Sequence, residues 1–284
     1  MAMAIEQHPS TGDNVIELRG LSIDFRTPAG SVHALRNIDF SIPCGSVVGV
    51  VGESGSGKST LALAIMGLMP ANAVLKSGSI RFGDLDLRAL KPAALRALRG
   101  SRISMVFQDP MTSLNPVRSI GDQMTDIQYR DRSSMADKRR KAADMLRKVG
   151  IPDPERQLDR YPYAFSGGMR QRIVIAMGIL QRPELLIADE PTTALDFTIQ
   201  AQVLHLLREL KKEFGLALLL ITHDFGVIAA MADRVAVIHQ GRLVEAGPVR
   251  EILQAPRHDY TKSLLAAIPG VGLSGRPEGR PSHQ

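Results

Sequence analysis

The chain of 284 residues can form one large α/β domain or two modest ones, and its 44% hydrophobic and 23% charged residues are ordinary for a globular protein. The formal net charge of +6 suggests nucleic acid or an anionic membrane surface as a partner, but Trp is absent and aromatics make up only 4%, which argues against a stacking platform for single strands. No apolar run approaches the roughly 20 residues of a membrane span, the first residues lack the plan of a signal peptide, and the single Cys44 excludes an internal disulfide and a cysteine-only metal cluster, so the expected compartment is the cytoplasm.

Residues 1–14 read as a flexible leader. From 15 to 43 the chain alternates as strands do, with turns expected at Gly20 and at Pro28-Ala29-Gly30. This predicts an antiparallel flap. Phe25 ends one of these strands; it could stack on a nucleotide base or belong to the core.

Next comes the apolar strand Val47-Val48-Gly49-Val50-Val51, followed by Gly52-Glu53-Ser54-Gly55-Ser56-Gly57-Lys58-Ser59-Thr60. This fits G-x-x-x-x-G-K-[ST] in full. Glycines let backbone N–H groups converge on phosphates, and the new helix aims its positive dipole end at them. Lys58 would reach the β- and γ-phosphates, and the Ser59 hydroxyl would ligate Mg²⁺. The helix carries Leu61, Ile65, Met66 and Met69 on one face and is expected to stop at Pro70. Residues 78–87 read as a hairpin with a Gly-Asp turn. The basic stretches 88–102 and 138–148 have helical spacing and read as solvated helix faces.

Residues 103–107 form another strand, with Gln108 at its carboxyl end, where a side chain can reach a metal ion or a water in the crevice. Helical periodicity then dominates from about 114 to 165, an inserted helical subdomain. Ser166-Gly167-Gly168 opens a helix, with Ser166 as N-cap and bare backbone beside it, a second place for an anion. Its apolar face is expected to be Met169, Ile173, Ala176, Met177 and Leu180. The strand 185–189 ends in Asp189-Glu190: Asp189 suits Mg²⁺ and Glu190 suits an attacking water. Asp196 precedes a helix over 198–214. The strand 216–221 is followed by His223, placed for a γ-phosphate contact. A hairpin over 235–246 closes the domain, and Pro248 begins a C-terminal piece marked by His258-Asp259-Tyr260-Thr261. Residues 271–284 are rich in Gly and Pro and read as disordered.

In this order, the phosphate loop, strand-end Gln, Ser-Gly-Gly helix, Asp-Glu strand end, Ala-Leu-Asp turn and strand-end His resemble the ATP-binding subunit of an ABC transporter. The signature Phe165-Ser166-Gly167-Gly168-Met169-Arg170-Gln171-Arg172 and the His258-Asp259-Tyr260-Thr261 motif are similar to the oligopeptide/dipeptide/nickel importer branch, and to the first of its two ATPases. Asp259 departs from the proline more usual there, and with only Cys44 present no iron–sulfur cluster is expected.

The resemblance implies an α/β fold: a RecA-like core over 15–247 with an antiparallel β-subdomain and a helical arm, then an extension over 248–270. It implies ATP and Mg²⁺, the metal held by Ser59, Gln108 and Asp189. Residues 52–60, with Phe25, would bind one ATP in cis, and Glu190, His223 and Gln108 would serve its hydrolysis. Ser166, Gly167 and Gly168 would contact the ATP of the opposite subunit, and Asp196 would lie across that interface. The implied partners are two transmembrane permeases, a second ATPase (a heterodimer rather than a homodimer) and indirectly a solute-binding protein, without nucleic acid. The implied location is peripheral, on the cytoplasmic face of the inner membrane. Two alternatives stand beside this: a soluble ABC ATPase outside transport, and a nucleotide-gated partner of low intrinsic activity.

Overall fold

The computed structural model describes residues 13–193 and 195–267. Nearly all of the expected leader and the whole of the expected tail lie outside those residues, as does Ala194. Among the described residues ten strands form: β1 Asn14–Thr27, β2 Gly30–Pro43, β3 Val47–Val51, β4 Ala73–Phe82, β5 Leu85–Asp86, β6 Ile103–Val106, β7 Leu185–Asp189, β8 Ala217–Ile221, β9 Arg234–His239 and β10 Arg242–Pro248.

The larger sheet has the order β10-β9-β3-β8-β7-β6. Neighbours from β9 to β6 run parallel, and β10 pairs antiparallel at the edge. Parallel strands are covered on both faces, so β3, β7 and β8 are continuous apolar runs, buried at every residue. Alternate residues feed two cores. Val48, Val50, Leu185, Ile187, Leu219 and Ile221 pack toward the helix Lys58–Met66 and the antiparallel flap. Val47, Val51, Leu186, Ala188, Leu218 and Leu220 pack toward the helical arm and the helices Gly167–Ile179 and Phe197–Phe214. Each such Val, Leu or Ile contributes roughly 1.5–3 kcal/mol on burial. The parallel strands share one carboxyl edge, so Gly52, Gln108, Glu190 and His223 are delivered to the same side of the sheet.

The flap is the antiparallel sheet β2-β1-β4-β5. Three expectations need correction. Gly20 makes no turn: β1 runs through it with register shifts on either side. Gly20 has φ 57, its N–H donates to Asp39 Oδ1 at 2.8 Å, and a Cβ on the facing Gly78 would lie 2.5 Å from its carbonyl oxygen. It is a bulge that lets two backbones approach. The helix from Lys58 ends at Gly67, in the left-handed region, before Pro70. The helix Gly167–Ile179 has no single apolar face: Gln171, Ile173, Val174, Ile175, Ala176, Gly178 and Ile179 are all buried. It lies inside the larger core, and a Cβ on Gly178 would meet Val106 at 3.2 Å.

The arm is built from the helices Ile120–Asp126, Met135–Lys148 and Pro154–Gln157, the first two capped by Ser119 and Ser134. After β10 come two short helices, Val249–Gln254 and Asp259–Ala266.

Candidate active site

The phosphate loop is held open by close packing. A Cβ on Gly52 would fall on the Ile238 carbonyl, and one on Gly57 (φ 111) would lie 2.7 Å from the Ala34 carbonyl oxygen. The Gly241 N–H donates to the Ser56 carbonyl at 2.9 Å, and the Gly241 carbonyl accepts from the Arg36 N–H at 2.7 Å. The β9–β10 turn therefore ties the loop to the flap. Residues 53–55 face outward. Lys58 is 6% exposed and donates to the Gly52 and Glu53 carbonyls, both at 2.8 Å. Burial lowers its pKa, opposed by the charges of Glu190, Asp189 and Glu53. An ammonium short of water on a bed of carbonyls is prepared for an anion. Thr60 follows Ser59 within the first turn of the helix Lys58–Met66.

Asp189 ends β7 and is 7% exposed. Burial pushes its carboxyl up, while a hydrogen bond from Ser59 opposes this. Its Oδ1 is buried and has no hydrogen-bond partner among the described residues. A buried, unpartnered carboxylate oxygen beside a hydroxyl fits Mg²⁺, which takes hard oxygen donors and binds through one or two carboxylates together with substrate phosphates. No cluster of three or more His, Cys, Asp or Glu suited to a metal occurs among the described residues.

Glu190 lies one residue past β7, at φ 47, in the left-handed region that costs a side chain of this kind about 1–3 kcal/mol. Its N–H donates to the Ile221 carbonyl at 2.8 Å. Its Oε2 accepts from Gln108 Nε2 at 3.0 Å and from Thr193 Oγ1 at 2.8 Å, and its Oε1 lies 3.3 Å from His223 Nδ1. Two neighbouring strand ends and a turn thus converge on one carboxylate. The arrangement can orient a water and accept its proton.

Sequence reading gave Thr193 no role beyond a turn; a hydroxyl three residues after Glu190 was the available signal. It marked Tyr260 only as part of a C-terminal motif; the Tyr260 Oη accepts the Glu53 N–H at 3.0 Å from 207 residues away.

The other predicted residues lie elsewhere. Ser166 caps its helix, accepting from the Met169 N–H at 3.4 Å. Nothing lies within 4 Å of a Cβ placed on Gly167, whereas one on Gly168 would meet Ile199 at 2.6 Å. Among the described residues no hydrogen bond joins this corner to the phosphate loop. Asp196 caps the helix Phe197–Phe214 through the Ile199 N–H at 2.9 Å. Phe25 is half-buried in β1, opposite Val32 and Ala73. Beside Gln108, between β6 and the arm, a groove of about 680 Å³ is lined by Phe107, Tyr129, Arg130 and Met177 among others. Phe107 and Tyr129 are exposed.

A family model described as ABC transporter matches residues 35–193. The chain belongs to the ABC transporter family. It is 47% identical over 266 residues to the oligopeptide transport ATP-binding protein OppD of Bacillus subtilis (strain 168), covering 93% of this chain and 74% of that one. It is 46% identical over 265 residues to the dipeptide transport ATP-binding protein DppD of the same organism, covering 93% and 79%. Among solved structures, the dimeric post-hydrolysis state of the ATP-binding cassette MJ0796 bound to ADP and Pi matches with a TM-score of 0.73 at 26% identity, over 83% of this chain and 99% of that one. The fold is therefore the ABC ATPase fold that the sequence resemblance implied, the nucleotide is ATP, and the activity is that of an ATPase. No helix among the described residues is long and apolar enough to cross a membrane.

Proposed function

We propose that this ABC ATPase energises the import of peptides or a related small solute. The observation that carries the catalytic half is the set of groups on Glu190, supplied by Gln108, Thr193 and His223. The likeness to proteins named for oligopeptide and dipeptide transport supports the solute class.

In this reading residues 52–60 bind the triphosphate of one ATP, and Lys58 meets its β- and γ-phosphates. Phe25 takes the base. Ser59, Asp189 and Gln108 would hold a Mg²⁺ ion, which when bound supplies charge neutralisation at those phosphates. Gln108 donates to Glu190 through Nε2, so its amide oxygen remains for the metal. Glu190 orients the attacking water and takes its proton. His223 steadies Glu190 and contacts the γ-phosphate.

Ser166, Gly167 and Gly168 serve an ATP held by a second ATPase subunit, and Asp196 lies at that interface. ATP bridging the two subunits favours the closed pair, and its cleavage releases them. The second ATPase is a different chain, in keeping with the Gly-Gly-Met signature. Two transmembrane permeases dock in the groove lined by Phe107 and Tyr129. A solute-binding protein delivers the cargo to them, and the ATPase sits peripherally on the cytoplasmic face of the inner membrane. Residues 15–247 are the ATPase domain, with 114–165 as its helical subdomain and 248–270 as an extension.

The test is a tagged pull-down from the cell's own membranes with mass spectrometry. Two multi-span permeases and a second ATPase are the expected companions. Recovery only from the soluble fraction, with nucleic acid or ribosomal proteins, would defeat the transport reading.

A further inference from the structure

The motif His258-Asp259-Tyr260-Thr261 takes no part in the chemistry above, yet it reaches the nucleotide site. A trans peptide unit is planar, with its carbonyl and N–H on opposite edges. The unit joining Gly52 to Glu53 is gripped on both edges. Its carbonyl accepts from Lys58 Nζ at 2.8 Å, and its N–H donates to Tyr260 Oη at 3.0 Å. Among the described residues, this is the only N–H of residues 52–57 accepted by a side chain. We propose that Tyr260 is a positioning residue for the ATPase reaction: its phenol oxygen fixes the peptide unit on which the Lys58 ammonium is seated. The proposal rests on the reading of residues 52–60 as the triphosphate site.

The anchor is itself well fixed. The Tyr260 ring lies against the His239 ring, with centroids 3.8 Å apart and planes tilted by 33°. His239 ends β9, and the preceding Ile238 carbonyl packs where a Gly52 side chain would be. The helix carrying Tyr260 is capped by His258 Nδ1, which accepts the Tyr260 N–H at 3.2 Å. The chain just before it is pinned by Glu245 of β10, whose carboxylate accepts from the Arg257 N–H at 2.8 Å and the His258 N–H at 3.1 Å. Thr261 and Leu265 are buried on the following turns. The start of the phosphate loop is therefore clamped between the end of β9 and the C-terminal helix. Removing the phenol oxygen frees the Gly52–Glu53 unit to rotate, and the Lys58 ammonium loses a fixed partner. Phosphate binding then has to restore an order that the native loop already has.

The test uses the purified full chain for ATP binding, and its membrane complex for turnover, with Tyr260→Phe, Lys58→Ala and the double variant. Tyr260→Phe keeps the ring on His239, so the melting temperature should stay near wild type. The Kd and KM for ATP should rise about three- to tenfold, the worth of one hydrogen bond, with kcat at saturating ATP little changed. In the Lys58→Ala background the same substitution should add less than about twofold, because both act through one peptide unit. If Lys58→Ala weakens ATP binding while Tyr260→Phe leaves Kd and KM unchanged, the positioning role is wrong and the triphosphate reading stands. Fully additive effects would also overturn it, by removing the link through Lys58. If Lys58→Ala leaves ATP affinity intact, the triphosphate reading fails and the positioning role goes with it.

Discussion

The two glycine-bearing corners of this molecule are built on opposite plans. At the phosphate loop and β7, partners are supplied within the chain: Lys58 sits on two carbonyls and Glu190 is held by three side chains. At the Ser-Gly-Gly corner the helix is capped, but Gly167 looks onto open space. One corner is partnered within the chain and the other is open. The proposed pairing with a second ATPase requires such a division, because each ATP would take its phosphate loop from one subunit and its Ser-Gly-Gly helix from the other.

After the loss of Glu190 itself, the largest effect should come from filling the open corner. A Cβ at Gly167 meets open space, and Gly167→Leu replaces a poor helix former with a good one, so the melting temperature should hold or rise. ATP binding by the isolated chain should stay within about twofold, while hydrolysis by the membrane complex should drop by roughly a hundredfold, the order lost with a transition-state contact. Full turnover in that variant would place the corner outside the chemistry.

A smaller effect is expected at the partnered corner. Thr193→Val keeps the shape and removes the 2.8 Å hydrogen bond to Glu190. Loss of one bond to a charged group should lower kcat about tenfold with KM little changed. Unchanged kcat would take Thr193 out of the chemistry.

The smallest effect concerns the flap. Asp24 is held below the usual carboxylate range, chiefly by a hydrogen bond from His33, against the cost of burial and with further help from Ser31 and Lys76. A carboxyl depressed in the folded state adds stability above its unfolded pKa of about 3.9 and loses it as the pH falls through the lower folded value. Below about pH 4 the melting temperature of the wild type should therefore fall more steeply than that of Asp24→Asn. Parallel acid limbs would remove Asp24 from the account.

What was legible in the sequence follows the same division. Gln108, Asp189, Glu190 and His223 could be found because parallel strands are apolar runs, and a polar group at their carboxyl ends stands out. The meeting of Gln108 and His223 on the Glu190 carboxylate was not legible, since it depends on the strand order β3-β8-β7-β6. Gly20 was misread because a glycine between two alternating runs looks the same in a turn and in a bulge; only the facing Gly78 tells them apart. The helix Gly167–Ile179 was misread as one-sided because Gln171 and the run Ile173-Val174-Ile175-Ala176 wrap right round it, and only the arm on its outer side buries them all. Tyr260 stood out as part of a motif, but its contact was invisible because the partner is 207 residues away and is a backbone N–H.

In the proposed function Glu190 serves hydrolysis in a subunit of a membrane importer. The most direct measurement is ATP binding and turnover by the membrane complex isolated through this chain, wild type against Glu190→Gln. ATP binding should be retained, with hydrolysis slowed by roughly two to four orders of magnitude, the range for loss of a general base. Near-normal hydrolysis by Glu190→Gln would contradict it.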